Sequence, residues 1–200
     1  MRRLVICWLC IIVLTAGHSG VATAHPHVWI DYSVTVVFDD QQLTGFEMEW
    51  IIDAMLSEQI IYENGLSAGM ADFQQAEAVR TGYFDNLRHY NYFTHIWIDD
   101  WRFWVEIVQD FSVEVRDRLI VYRFFVPCIV PVEAAAQSIR LIASDPDIFV
   151  DFRWHLQNPV QIKQSGGVTA DAELVRDSSR SIVPDFVTPL VLQVDFRTDG

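Results

Sequence analysis

Two histidines separated by one proline, His25-Pro26-His27, carry the most specific chemistry in this sequence. Neutral imidazole is a ligand for copper, nickel, cobalt and zinc. The pair follows a segment with the parts of a secretory signal: Arg2 and Arg3, an apolar run from Leu4 to Ala16, and the small-residue cleavage pattern Ala22-Thr23-Ala24. Cleavage after Ala24 leaves His25 with a free amine beside its own imidazole. In an extended chain His25 and His27 project to one side, so both can reach one ion. An amine with two imidazoles has the make-up of a histidine brace, a copper geometry. The terminal amine–amide–imidazole chelate is excluded, because it needs a deprotonated amide at the second position and Pro26 has no N–H.

Such a terminus is half a site, and the remaining ligands must come from elsewhere. His95 is the first nitrogen candidate, ahead of His89 and His155. Asp31, four residues after His27, lies on the same face of an alternating strand. Asp53 and Asp145 are the other candidate oxygen ligands or supports, although a turn aspartate such as Asp145 has capping as its ordinary role. The candidate metal set is therefore His25, His27, His95, Asp31, Asp53 and Asp145. The cofactor it fits is a divalent transition metal: nickel, cobalt, zinc or copper.

The elements that must position these groups read mainly as strands. Val28, Ile30, Tyr32, Val34, Val36 and Phe38 alternate with polar residues over a long strand. Asp39-Asp40-Gln41-Gln42 makes a turn into a second strand over Leu43 to Ile52, antiparallel to the first. Asp53 caps a helix running to Tyr62, and Glu63-Asn64-Gly65 ends it. A second helical stretch is expected over Ser67 to Tyr90, weakened by Gly82. Strands return at Tyr92 to Ile98, Trp101 to Ile107, Phe111 to Val115, Leu119 to Val126, Ser138 to Ala143 and Ile148 to Trp154. The expected fold is mainly β: an antiparallel β-sandwich with a helical insertion at about 53–90. Residues 1–24 are expected to be a signal peptide and 25–160 the sandwich. Residues 161–200 read as a mobile loop with a C-terminal strand over Val187 to Phe196.

Composition narrows the partners. The chain has 200 residues, 51% hydrophobic and 13% aromatic, enough for one domain with a real core. Its formal charge is −13, and loss of Arg2 and Arg3 with the signal moves it to −15. Lys163 is the sole lysine. This balance argues against nucleic acid and against anionic lipid as partners. The apolar run is too short for a comfortable span, so no membrane insertion is expected after cleavage. Cys7 and Cys10 leave with the signal, which leaves Cys128 in an apolar setting as a buried small hydrophobe with no disulfide partner. No nucleophile elbow, phosphate loop or H-E-x-x-H motif is present, which argues against a conventional hydrolase or kinase.

Several stretches together resemble a family. Ala24 to Asp31 after a signal, Trp50-Ile51-Ile52-Asp53, Asn86-Leu87 with Tyr90 to Thr94, and Ser144 to Phe152 match in order the motifs of the bacterial periplasmic family known as domain of unknown function 1007. The resemblance implies a periplasmic accessory of a metal transport system, of the kind associated with nickel, cobalt or related metal transporters. Many members carry an acidic calcium-type loop in the helical insertion. Here that region reads Tyr62-Glu63-Asn64-Gly65-Leu66-Ser67, without the acidic ladder. Three functions remain open from the sequence. They are a metal-binding accessory of a membrane transporter, a metal-free module that docks on such a transporter through aromatic residues, and a histidine-brace copper enzyme.

Overall fold

A computed structural model of the protein describes residues 27–164, 166–183 and 188–198. His25, Pro26 and the signal-like segment lie outside the described residues.

Strand β1 (Val28–Asp39) buries every second side chain from Val28 to Phe38, and β2 (Gln42–Ile52) pairs with it antiparallel. The expected hairpin is therefore present, with Asp40 and Gln41 at its turn in left-handed backbone. Helix α1 (Ala54–Asn64) begins at Asp53 and ends at Gly65, whose φ of 59° is the left-handed C-cap that glycine adopts without strain.

The rest of the insertion departs from a single helix over Ser67 to Tyr90. Strand β3 (Gly69–Met70) comes first. Helix α2 (Phe73–Val79) then starts late, because Asp72 and Gln75 form a capping box. A π turn (Arg80–Phe84) containing Gly82 follows, then a 3-10 segment (Asp85–Phe93). Phe84 is fully buried and packs on Trp50, Phe111 and Phe124. Asn91, Tyr92 and Phe93 all have positive φ, a costly turn that the burial of Tyr92 and Phe93 holds in place.

Strands β4 (Thr94–Ile98), β5 (Trp101–Phe103), β6 (Gln109–Arg116), β7 (Leu119–Pro131), β8 (Gln137–Ala143), β9 (Val150–Trp154), β10 (Val160–Lys163), β11 (Val168–Arg176) and β12 (Leu190–Thr198) complete two sheets. One has the order β10-β1-β2-β7-β6-β3, with β9 also on β1. The other has the order β11-β12-β8-β4-β5. β9 and β10 share one edge of β1, both parallel to it, over Val28 to Tyr32 and Val34 to Val37 respectively. The remaining pairings are antiparallel. The two inner faces meet in one core, with Tyr32, Val34 and Phe46 from the first sheet and Ile96, Ile139, Leu141 and Val194 from the second. The architecture is a β-sandwich with a helical insertion. Cys128 lies in this core, where burial pushes its thiol up to about 12, so it stays a protonated hydrophobe.

After residue 160 the expected C-terminal strand is present as β12, and part of the expected loop forms β10 and β11. β12 sits between β11 and β8 and so forms the middle of the second sheet. Val168, Ala170, Ala172 and Leu174 of β11 alternate against outward charges. Two of the four are alanines, so the period-two signal is weak in the sequence.

Candidate functional site

His27 is the first residue described, and its backbone is fastened before its side chain does anything. Its N–H donates to the carbonyl of Phe149 at 2.9 Å, and its exposed imidazole lies against the Phe149 ring with centroids 5.0 Å apart. No hydrogen bond to this imidazole is found among the described residues. In the neutral ring one nitrogen carries the N–H and the other an in-plane lone pair, and the second is the atom that a Lewis acid would take.

Two of the predicted carboxylates build the frame around that position. Asp53 uses Oδ1 to accept the N–H groups of Met55 at 2.8 Å and Leu56 at 3.1 Å, which caps α1. Its Oδ2 accepts the N–H of Trp29 at 3.0 Å, and its own N–H donates to the Trp29 carbonyl at 2.9 Å. One aspartate thus ties the start of β1 to the start of α1. Asp145, 5% exposed, works from the other side. Its carboxylate accepts N–H groups from Asp147, Phe149 and Val150 at 2.9, 3.1 and 3.0 Å. These bonds fold the turn that delivers Phe149 to His27. Both oxygens of each aspartate are occupied by backbone donors, so each acts here as a support.

His95 also joins this turn. Its Nε2 is 2.9 Å from the carbonyl of Ser144 and its Nδ1 is 2.7 Å from Nη2 of Arg102. A carbonyl can only accept and a guanidinium can only donate, so the ring is neutral with its proton on Nε2. Burial pulls its pKa down to about 4, the Arg102 charge adds to that, and the bond to Ser144 and the nearby Asp145 work against it. A metal at His95 has to displace one of two short contacts.

Asp31 lies exposed on the outward face of β1, in register with Arg153 of β9. Four residues of strand separate it from His27, about 13 Å. Asp151 is in register with Trp29, closer to His27, and pairs with Arg153 at 2.8 Å. Among the described residues no group of three or more His, Cys, Asp or Glu side chains is placed to hold a metal ion. The structure therefore gathers Asp53 and Asp145 beside His27 as supports, sets Asp31 further along the strand, and puts His95 behind the turn. His25 lies outside the described residues.

Two features escape sequence reasoning. Phe149, the partner of His27, carries no chemical signature, and only its place in Ser144-Asp145-Pro146-Asp147-Ile148-Phe149 ties it to the turn. Arg102 sits between Trp101 and Trp104, and the adjacency of arginine and tryptophans is the one available hint of its stacking. A groove of about 1000 Å³ also opens between the sheets beside the same turn, lined among others by Tyr32, Ile142, Phe152, Trp154 and Leu190. The Trp154 indole N–H spans the gap between the sheets to the Leu190 carbonyl at 2.7 Å.

Known proteins place the chain among relatives. An uncharacterised 15.5 kDa protein from the trpE 3' region of Spirochaeta aurantia is 28% identical over 121 residues, 60% of this chain and 86% of the relative. An uncharacterised protein of Haemophilus influenzae is 27% identical over 130 residues, 64% of this chain and 61% of that longer protein. Residues 10–180 match the family described as "Protein of unknown function (DUF1007)". With most of its length covered by that match, the chain belongs to the DUF1007 family.

Proposed function

We propose that the protein is an exported, periplasmic metal-binding accessory of a transition-metal transport system. It takes nickel, cobalt, zinc or copper at a terminus made by cleavage after Ala24. His27 and, from outside the described residues, His25 supply imidazoles, and the new amine supplies a third nitrogen. The observation that supports this reading is an exposed His27 imidazole, with no hydrogen bond among the described residues, on a firmly fastened strand end. Fixing the ligand in advance lowers the ordering cost of binding, which favours affinity. Asp53 and Asp145 hold the frame, and Asp31 and Asp151 add negative potential along the same outward face. The partner in this reading is a membrane metal transporter that receives or supplies the ion.

The test is a titration of the exported protein with each of the four metals, with native mass spectrometry to identify any ion carried through purification. His25→Ala and His27→Ala are expected to weaken the preferred metal at least about tenfold each, the scale of losing one ligand interaction. Unchanged affinities in both variants sink the reading.

A second reading is favoured by a separate observation. Trp101, on the edge strand β5, is 82% exposed, and Trp104, just past that strand, is 59% exposed. Large exposed aromatics of this kind mark interaction surfaces. On this reading the protein is a metal-free module that docks on a membrane partner, and it retains its partner after both histidines are replaced.

A further inference from the structure

The outward face of the first sheet is hollowed by a second groove, of about 740 Å³. Strand pairing sets its floor. Ser33 is in register with Glu49, Glu49 with Arg123, and Arg123 with Ser112, so these four side chains form one outward row. Gln161, Thr35, Glu47 and Phe125 form the next row. Phe125 leans over β2 instead of standing off the sheet. A Cβ on Gly45 would come within 2.7 Å of the Phe125 Cζ, so glycine leaves the room that the ring takes. The half-buried ring gives the groove one apolar surface.

Charge in the floor is already paired. Glu49 meets Arg116 at 2.9 Å and Arg123 at 2.7 Å, and Arg123 also reaches Glu114 at 2.8 Å. Burial alone would raise the Glu49 carboxyl, but the two arginines outweigh it and hold it below its ordinary range, so the network stays ionised. Glu47 is paired with Lys163 at 2.6 Å. Around these pairs stand polar groups that the fold has not spent. The hydroxyls of Ser33, Thr35 and Ser112 and the amide of Gln161 make no hydrogen bond among the described residues. The Nδ1 of His155 accepts the Asn158 N–H at 3.3 Å, which puts the proton of the neutral ring on Nε2 as a further donor.

This mixture selects a class of ligand. An anion is repelled by Asp110 and Asp117, which have no ion pair among the described residues. Those two acids stand at opposite ends of β6, about 20 Å apart along the strand, so they cannot share one cation. A wholly apolar ligand would strip water from the hydroxyls and return no hydrogen bond. A neutral molecule with many hydroxyls and some C–H surface meets every group present.

We propose that this groove is a binding site for a neutral saccharide, with Phe125 packed on an apolar face of a sugar ring and Ser33, Thr35, Ser112 and Gln161 bonded to its hydroxyls. The proposal rests on neither reading above. The groove contains none of the six candidate metal ligands, and neither Trp101 nor Trp104.

The test is calorimetric titration of the exported protein, in chelator, with three neutral trisaccharides: maltotriose, cellotriose and chitotriose. Tri-galacturonate is the charged counterpart. At least one neutral trisaccharide is expected to bind with a Kd of about 1 mM or tighter, and tri-galacturonate at least about tenfold more weakly. Phe125→Ala is expected to weaken the preferred sugar about tenfold, the scale of a hot-spot truncation. Gln161→Ala is expected to weaken it about fivefold, the scale of one lost hydrogen bond. Gln161 is exposed, so its replacement leaves the fold intact, and thermal melting of both variants checks this. Failure of all three neutral sugars to bind overturns the proposal. Equal binding of tri-galacturonate overturns the neutral class. Binding that survives both replacements unchanged puts the sugar elsewhere and overturns the site.

Discussion

The two ends of His95 face two regions that differ in how far folding uses up their side chains. Around His27, aspartates with a metal-ligand signature spend their oxygens on backbone N–H groups, and what they produce is a fixed strand end. On the second sheet Arg180, Trp97, Arg102 and Trp104 stack with no motif to announce them, and Trp104 is left 59% exposed. In the first region the polar side chains are consumed by the fold and one imidazole is left over. In the second the aromatic side chains are only half consumed. Function, in both readings, attaches to the group that folding leaves unused.

Removing a support has the largest expected effect. Asp145→Ala removes a buried carboxylate that is the acceptor of three backbone N–H groups in a half-exposed turn. The expected loss is about 4 kcal/mol, a little over 1 kcal/mol for each of the bonds to the carboxylate. For a chain of this size that lowers the melting temperature by roughly 10 °C. A loss below about 1 kcal/mol in urea unfolding breaks the distinction between consumed and unused groups.

His95 tests the boundary between the regions through pH. Its folded pKa, near 4, lies below the ordinary value of 6.5. Between those values the unfolded chain binds the extra proton and the folded chain does not. Stability from this group is therefore full above pH 6.5 and is lost as pH falls toward 4, by an amount on the order of 3 kcal/mol. The acids titrate in the same window, so the quantity to measure is the difference in slope between the wild type and His95→Asn. Parallel curves for the two proteins refute the assignment of a neutral, doubly engaged ring.

The sandwich is legible in the sequence where burial is one-sided and the residues are large. Val28 to Phe38 alternates cleanly, and Asp53 and Gly65 mark both ends of α1 in the residues themselves. Legibility fails where tertiary packing overrides local preference. Nothing in Tyr90-Asn91-Tyr92-Phe93 announces three residues with positive φ, because the cost is met by burying the rings of Tyr92 and Phe93 in the core. β11 is missed because Ala170 and Ala172 give too little hydrophobic contrast, and its pairing with β12 is a long-range property. At the site, residue type marks Asp53 as a helix cap and Asp145 as a turn cap, and the backbone bonds bear out both; what residue type leaves open is whether either also serves a metal. A carboxylate that binds N–H groups and one that binds a cation look alike until the donors around them are known.

Asp53→Ala separates the supports from one another. It removes a helix cap of about 1 kcal/mol and a further backbone bond to Trp29 of similar size, for roughly 2 kcal/mol in all. Half of that loss belongs to the joint between β1 and α1. Amide exchange at Trp29 is therefore expected to quicken more than exchange in mid-strand at Val34, whose N–H donates to Pro159. Uniform quickening along β1 would mean that Asp53 is an ordinary cap with no special hold on the terminus.

The smallest expected effect on stability belongs to His27 itself, and it is the most informative. The imidazole is exposed and its described contact is with the Phe149 ring. The fastening bond to Phe149 comes from the backbone, which His27→Ala keeps. The expected change in unfolding free energy without metal is within about 0.5 kcal/mol. With saturating metal the wild type alone gains stability, by an amount that grows with the logarithm of the free ion concentration. The two proteins thus coincide in chelator and diverge on titration. Divergence already in chelator would mean that the ring supports the strand end, as Asp53 and Asp145 do, and that folding leaves no imidazole free there.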